Sequence, residues 1–487
     1  MLQTPYDKRN ISMMMDLYEL TMANSYYLTE DREKKVAFDV FYRKNPDEGG
    51  FAIFAGLEQI IEYVTEMHFE EEDVEYLRSL QIFDEGFLQY LADFKFKGDI
   101  YAFPEGTIMY PNEPVITVVA PLIDAQLVET EILAQINHQS LIATKARRIV
   151  RAANGRPVSD FGARRAHNND AAIYGARACF IGGVNSTATV SAGQYFDMPV
   201  SGTMAHSYVM YYQDELTAFR QFAKIYPHNC ILLVDTYDVV DSGIPNAIKV
   251  FQEMKDAGIE SKNYGIRIDS GDLAYLTKKA RKMLDAAGFT DAKIIVSNSL
   301  DEYTIVSLLD QGAEINAFGV GERMITSKSE PVFGAVYKMC ACMEDGVMQP
   351  RIKVSDTVEK ITNPGLKEVY RIYDEEGMAI CDLLALKDEE IDLSEPFRFV
   401  DPSKPWKQYY FKNCVAKPLQ RCFVKDGNRV VSTKSLAEIR AYVSYQLENE
   451  IWNEEQRFEN PHPHYLDMTP KYYEMKMEML NDKKGEN

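Results

Sequence analysis

Through the middle of this chain, short apolar runs alternate with amphipathic stretches at a steady interval. PVSDFG (157–162) precedes a helical pattern near 168–180, and PVSGTMAHS (199–207) precedes one over 208–225. CILLVDTYD (230–238) is followed by 244–257, YGIRIDSGD (264–272) by 273–287, and AKIIVSNS (292–299) by 300–311. INAFGVGER (315–323) closes the series, with PVFGAVYKM (331–339) behind it. Strand and helix alternating in units of roughly 25–35 residues predicts a parallel β/α array, most economically an irregular barrel.

The flanks read differently. A helix is expected over 12–26, a strand at KVAFDVFY (35–42), a helix over 56–66, and strands with turns over 96–119, punctuated by Pro104, Pro111 and Pro114. Beyond Met348 come alternating, turn-punctuated stretches, a helix over 435–453 and a charged end, NDKKGEN. The fold class is therefore α/β, with an N-terminal α/β domain (1–140), a barrel carrying the active site (141–347) and a C-terminal segment (348–487) packing in part on the first domain.

Polar residues end nearly every predicted barrel strand: Ser159-Asp160, Thr203 and His206, Asp235 and Asp238, Arg267 and Asp269, Ser297-Asn298, Gly319 and Gly321. One such ending is ordinary helix capping. A succession that includes Arg and His instead predicts a catalytic rim at the C-terminal strand ends.

Composition narrows the ligands. The formal charge of -21 argues against nucleic acid or an anionic membrane as partner. Any phosphate site must then be built locally from arginine, lysine and backbone N–H groups. The stretch MLQTPYDKRNISMMMDLYEL lacks the basic start and unbroken apolar run of a signal peptide, and seven scattered cysteines make no disulfide framework. A cytoplasmic protein with reduced thiols is expected. The one-residue gap of Cys340-Ala341-Cys342 is too tight for ordinary zinc-finger spacing.

Four runs carry chemistry. FGARR (161–165) sets Arg164 and Arg165 after a strand, where cations are disfavoured unless an anion is present, and Phe161 is either core or a platform for a flat ring. GTMAHS (202–207) surrounds His206 with small residues. RIDSGD (267–272) combines a phosphate-holding Arg267 with Asp269 and Asp272, which suit Mg²⁺ or ribose hydroxyls, around a turn of Ser270 and Gly271. FGVGER (318–323) is a glycine turn late in the barrel, where backbone N–H groups often cradle phosphate, and Lys338 could add a charge.

Together DLYELTM (16–22), FGARRAH (161–167), GTMAHSYVM (202–210), LVDTYD (233–238), RIDSGD (267–272) and AFGVGER (317–323), with NPHPHYLD (460–467), resemble nicotinate phosphoribosyltransferases. The family's fold is that of the type II phosphoribosyltransferases: an α/β domain on an irregular barrel, assembled as homodimers. The resemblance implies that ATP phosphorylates His206 and that Arg164 or Arg165, with Arg267, holds ligand phosphates. It implies a ribose contact at Asp269, a 5-phosphate cradle at Ser297, Asn298, Gly319 and Gly321, and a pyridine sandwiched by Phe161 and Tyr18. Asp16 and Tyr18 would reach in from the partner subunit, and Thr203 would line the nicotinate site. Nicotinamide enzymes of this superfamily carry an aspartate after the helix that follows the arginine motif. The corresponding IGGVNSTATV (181–190) offers Ser186 and Thr187 instead, which can donate to a carboxylate.

The implied reaction is displacement at the anomeric carbon of phosphoribosyl pyrophosphate (PRPP) by the ring nitrogen of nicotinate, yielding nicotinate mononucleotide and pyrophosphate. Mg²⁺ and ATP serve as cofactor and co-substrate, and Asp235 or Asp269 faces the cationic sugar. The alternatives are a nicotinamide phosphoribosyltransferase, or a metal-dependent barrel lyase or hydrolase using Asp235, His206 and Asp269 on a phosphorylated sugar. A non-catalytic barrel kept as a binding protein is the third.

Overall fold

The computed structural model describes residues 9–29, 31–355, 357, 360–393, 397–402, 404, 406 and 408–485. The chain divides into two compact units, Lys145–Pro331 and a second made of Met1–Thr144 with Val332–Asn487.

The first unit holds the alternating series. Its strands are β1 (Val158–Asp160), β2 (Ser186–Thr187), β3 (Cys230–Leu233), β4 (Tyr264–Ile268), β5 (Lys293–Ser297) and β6 (Ala317–Val320). They form one parallel sheet in the order β2-β1-β6-β5-β4-β3, curled into a half-barrel. A parallel bridge between Thr187 and Val200 extends it beyond β2. β3 is buried along its whole length and β4 and β5 largely so, as befits parallel strands covered by helices. The helices are amphipathic and sharply started. Asn168, Asp214, Asp272 and Asp301 each accept from a first-turn backbone N–H with their side chains. Two of the rim acids are thus helix or turn caps: Asp272 accepts from Tyr275 N at 3.0 Å, and Asp238 from Val240 N and Asp241 N.

The second unit is built from both ends of the chain. Its seven-stranded sheet runs Val347–Pro350, Val336–Glu344, Lys35–Phe41, Ile116–Pro121, Asp99–Ala102, Arg421–Lys425, Asn428–Arg429. PVFGAVYKM therefore does not extend the barrel series, since Val336–Glu344 pairs antiparallel with Lys35–Phe41. A six-stranded sheet is formed wholly from residues after Val332. The first helix begins at Leu17, not at 12: Asp16 and Glu19 form a capping box that fixes its start. All seven cysteines are free thiols, Cys340 and Cys342 buried among them.

Between the sheets of this unit lies a wholly buried polar cluster. Arg371 donates to both oxygens of Asp382 at 2.8 and 2.7 Å. His464, from NPHPHYLD, sits 3.5 Å from Asp382 and 3.3 Å from Glu455. Its ring stacks on Tyr110 with centroids 3.7 Å apart. Burial and the neighbouring Asp382 push the Glu113 carboxyl well above the usual range, whereas Arg371 holds Asp382 low against the pull of burial.

Candidate active site

At the C-terminal ends of β3, β4 and β5, one connected set of polar side chains collects the acids, the histidine and the arginine of the rim. Asp235, just past β3, accepts with Oδ2 from the Asp269 N–H at 3.0 Å and from the Ser270 hydroxyl at 2.6 Å. Its other oxygen, Oδ1, is buried and has no hydrogen-bond partner among the described residues. Asp269, just past β4, accepts from the Ser297 hydroxyl at the end of β5. Its Oδ2 lies 3.7 Å from His206 Nε2, and Nδ1 of that ring is 3.1 Å from the Thr236 hydroxyl. The His206 and Asp269 side chains keep 40% and 30% of their surface, so the pair is open to a ligand.

Arg267 points from β4 to the segment ahead of His206. Its guanidinium donates to Thr203 Oγ1 and to the Met204 carbonyl at 3.0 Å. Burial pushes this guanidinium down in pKa, Asp269 and Asp235 push it up, and Arg164 opposes them. Arg267 Nε is buried and has no hydrogen-bond partner among the described residues, which leaves a donor for an anion.

The first strand end is a packed turn. Asp160, buried at 1% exposure, accepts from Gly162 N and from the Thr187 hydroxyl, both at 2.8 Å, which fixes FGARR relative to β2. Burial raises its carboxyl above the ordinary value despite those bonds. A Cβ on Gly319 would stand 2.5 Å from the Phe161 ring, and one on Gly321 3.0 Å from the Phe161 carbonyl. Both glycines thus serve to seat Phe161, whatever else their backbones bind. Arg164 and Arg165 lie on the following short helix, exposed, with Arg165 4.0 Å from Glu322.

Ser186 and Thr187 differ. The Ser186 hydroxyl is one of three in a triangle with Ser159 (2.8 Å) and Ser201 (2.6 Å). Thr187 is fully buried and donates its only hydroxyl hydrogen to Asp160, so it has none for a substrate carboxylate. Of the two hydroxyls expected to face the carboxylate, only that of Ser186 stands outside the bond to Asp160. Asp272 is likewise engaged as a cap, and Gly271, at φ +79°, forms the turn ahead of it.

The remaining expected residues lie in the other unit. Asp16 caps the helix Leu17–Leu28, and Tyr18 is 45% exposed, its phenol pushed up in pKa by partial burial and the nearby Glu129. Lys338 donates to the Tyr337 carbonyl at 2.7 Å, with burial lowering its amine and Glu129 raising it. Sequence reasoning named Ser159 and Asp160 as a strand ending without giving either a role, and passed over Ser201, Asp301, Glu322 and Arg323. Of these only Glu322 and Arg323, charged residues directly after the glycine turn, carried a readable signal.

Among the described residues no helix is long and apolar enough to cross a membrane, and no group of three His, Cys, Asp or Glu is arranged to hold a metal ion. Family models match nearly the whole chain: the nicotinate phosphoribosyltransferase N-terminal domain over residues 13–137, the nicotinate phosphoribosyltransferase family over 157–372, and the C-terminal domain over 366–476. The nicotinate phosphoribosyltransferase of Bacillus subtilis is 42% identical over 486 residues, covering 100% of this chain and 98% of its own. That of Caenorhabditis elegans is 33% identical over 523 residues, covering 95% and 92%. The crystal structure of human nicotinic acid phosphoribosyltransferase superposes with a TM-score of 0.84 at 26% identity, over 96% of this chain and 100% of that one. The chain belongs to the nicotinate phosphoribosyltransferase family.

Proposed function

We propose that this protein transfers the phosphoribosyl group of PRPP to the ring nitrogen of nicotinate, and that ATP drives the reaction through a phosphate on His206. The observation that carries the reading is the linked set Arg267, Asp269, Asp235, His206 and Ser297 at adjacent strand ends. It joins a half-buried cation, two carboxylates and an accessible imidazole, which is what a phosphorylated sugar passing through a cationic transition state requires.

The nitrogen of nicotinate is unprotonated at neutral pH and attacks the anomeric carbon without a general base. The C–O bond to pyrophosphate breaks as the C–N bond forms. Arg267 and the arginines after β1 bind the phosphates, and Asp269 and Asp235 face the positive charge on the sugar. The donor set fits Mg²⁺. Asp235 Oδ1 is unpartnered, and a Mg²⁺ bound by one or two carboxylates plus substrate phosphates needs no protein cage. Bound there, it would neutralise charge on the departing pyrophosphate.

His206 is suited to accept a phosphoryl group. With Nε2–H turned toward Asp269, Nδ1 keeps a lone pair that can exchange the Thr236 hydroxyl for the γ-phosphorus of ATP. The N–P bond forms as the bond to ADP breaks, and nearby Asp269 stabilises the imidazolium. Ser186, within its trio of hydroxyls, selects the acid over the amide. The site is completed in a homodimer by Asp16 and Tyr18 of the partner copy, beside the exposed Met14 and Leu17. ATP treatment should place one phosphate on His206, detectable by mass spectrometry of acid-sensitive peptides, with ADP released. An unmodified His206 at saturating ATP would sink the coupling while leaving the transfer reaction standing.

A further inference from the structure

We propose that Arg323, through its ion pair with Asp301, is a positioning residue that sets the loop after β5 for the phosphorylated sugar. The idea rests on the function proposed above. The loop contains Asn298 and Ser299 in succession at φ +84° and +51°, left-handed conformations that non-glycine residues hold only where their surroundings impose them. Upstream, the Ser297 hydroxyl is tied to Asp269. Downstream, Leu300 is buried and Asp301 is held by both oxygens: Oδ1 accepts from Thr304 N at 2.8 Å, starting the helix Glu302–Asp310, and Oδ2 accepts from Arg323. Burial pushes the Asp301 carboxyl up, but Thr304 and Arg323 outweigh it and hold the carboxyl below its ordinary value. Glu302 is locked in turn by Lys145 and Arg148, each at 2.8 Å.

Of these restraints, Arg323 alone comes from the glycine turn after β6. It stands two residues beyond Gly321, as Asp301 stands three beyond Asn298. The ion pair therefore fixes the separation of the two loops assigned to one phosphate. Its neighbour Glu322 reaches the other way, to Lys328 at 2.6 Å and Arg165 at 4.0 Å. The short helix Glu322–Ile325 thus spans the loops after β1 and β5 with side chains of opposite sign. Arg323 acts on the substrate through loop geometry, without touching it.

The test is steady-state kinetics on Arg323→Met, Asp301→Asn and the double variant. Asparagine still caps a helix but loses the charge, so Asp301→Asn removes the pair and spares the helix start. Each single variant should raise KM for PRPP about tenfold, with kcat and KM for nicotinate within about twofold, and the double variant should be no worse than either single. Arg323→Lys should recover most of the loss, which a purely structural defect would not allow. Unchanged KM for PRPP in both singles overturns the proposal. So does a multiplicative double, or a defect confined to Arg323→Met, which would make Arg323 a direct ligand. Wild-type protein that forms no nicotinate mononucleotide sinks the functional reading itself, a result distinguishable from all of these.

Discussion

Arg267 sits on β4, yet its guanidinium donates to Thr203 Oγ1 and the Met204 carbonyl, on the segment that leads into His206. In the proposed reaction, a phosphate bound by Arg267 would therefore be sensed by the backbone that leads into the histidine. Lysine presents a point charge and cannot hold both acceptors in a fork. Arg267→Lys should raise KM for PRPP tenfold or more (about the value of a charge-assisted hydrogen bond) and also slow phosphorylation of His206. Rapid-quench measurement of phosphohistidine beside steady-state kinetics checks both, and an effect on KM alone would separate the two roles.

Gly319→Ala should cost about 1–3 kcal/mol of stability and displace the Phe161 ring, since the added Cβ would stand 2.5 Å from it. If Phe161 supports the pyridine, KM for nicotinate rises more than KM for PRPP. Thermal melting and paired KM measurements read this directly, and a rise in KM for PRPP alone would assign Gly319 to the phosphate.

Ser186→Ala removes the hydroxyl that shares hydrogen bonds with Ser159 and Ser201. About a tenfold rise in KM for nicotinate is expected, with nicotinamide use unchanged. Thr187→Val should leave KM for nicotinate nearly constant and instead lower stability, because the buried Oδ2 of Asp160 loses its donor while Oδ1 keeps Gly162 N. A reversal of these two outcomes would return the selecting role to Thr187.

The buried cluster around His464 makes stability fall on the alkaline side. Burial lowers the His464 pKa, but Asp382 and Glu455 outweigh it and raise it, and burial raises that of Glu113. Groups with raised folded values stabilise fully below their unfolded values, about 4.3 for Glu and 6.5 for His, and lose that contribution as pH climbs through the folded ones. Asp382, held low, is affected only in strong acid. The melting temperature should therefore fall as pH rises above the unfolded values, about 4.3 for Glu113 and about 6.5 for His464. Glu113→Gln, which mimics the protonated acid, should make the drop shallower without lowering the melting temperature near pH 5. His464→Gln should cost ~3 kcal/mol by removing the buried cation between Asp382 and Glu455, which would keep Arg371 and the Tyr110 hydroxyl as partners. An equal slope in wild type and Glu113→Gln would remove Glu113 from the explanation.

The alternating half of the fold was legible because parallel strands and amphipathic helices write different periods into the sequence. Strands β3 to β6 all fall within runs read from apolar pattern. β2 was missed, since two residues, Ser186-Thr187, carry no period. The helix Glu129–Ala152 was missed because Gln139, Ser140, Thr144 and Lys145 are buried in it, which blurs the apolar stripe. The destination of Val336–Glu344 could not be read, because pairing with Lys35–Phe41 is set by tertiary partners some 300 residues away in sequence. At the rim, residue type identified the charged set around Asp269. It could not distinguish Asp235, which carries an unpartnered buried oxygen, from Asp238 and Asp272, which cap helix or turn starts, because capping and ligation select the same acids.

The central claim is tested most directly by offering the purified protein equal nicotinate and nicotinamide with PRPP, Mg²⁺ and ATP, and identifying the nucleotide by chromatography and mass. Nicotinate mononucleotide with an equivalent of pyrophosphate, and nicotinamide left unreacted, is the predicted result. Nicotinamide mononucleotide as the product, or no nucleotide at all, would contradict it.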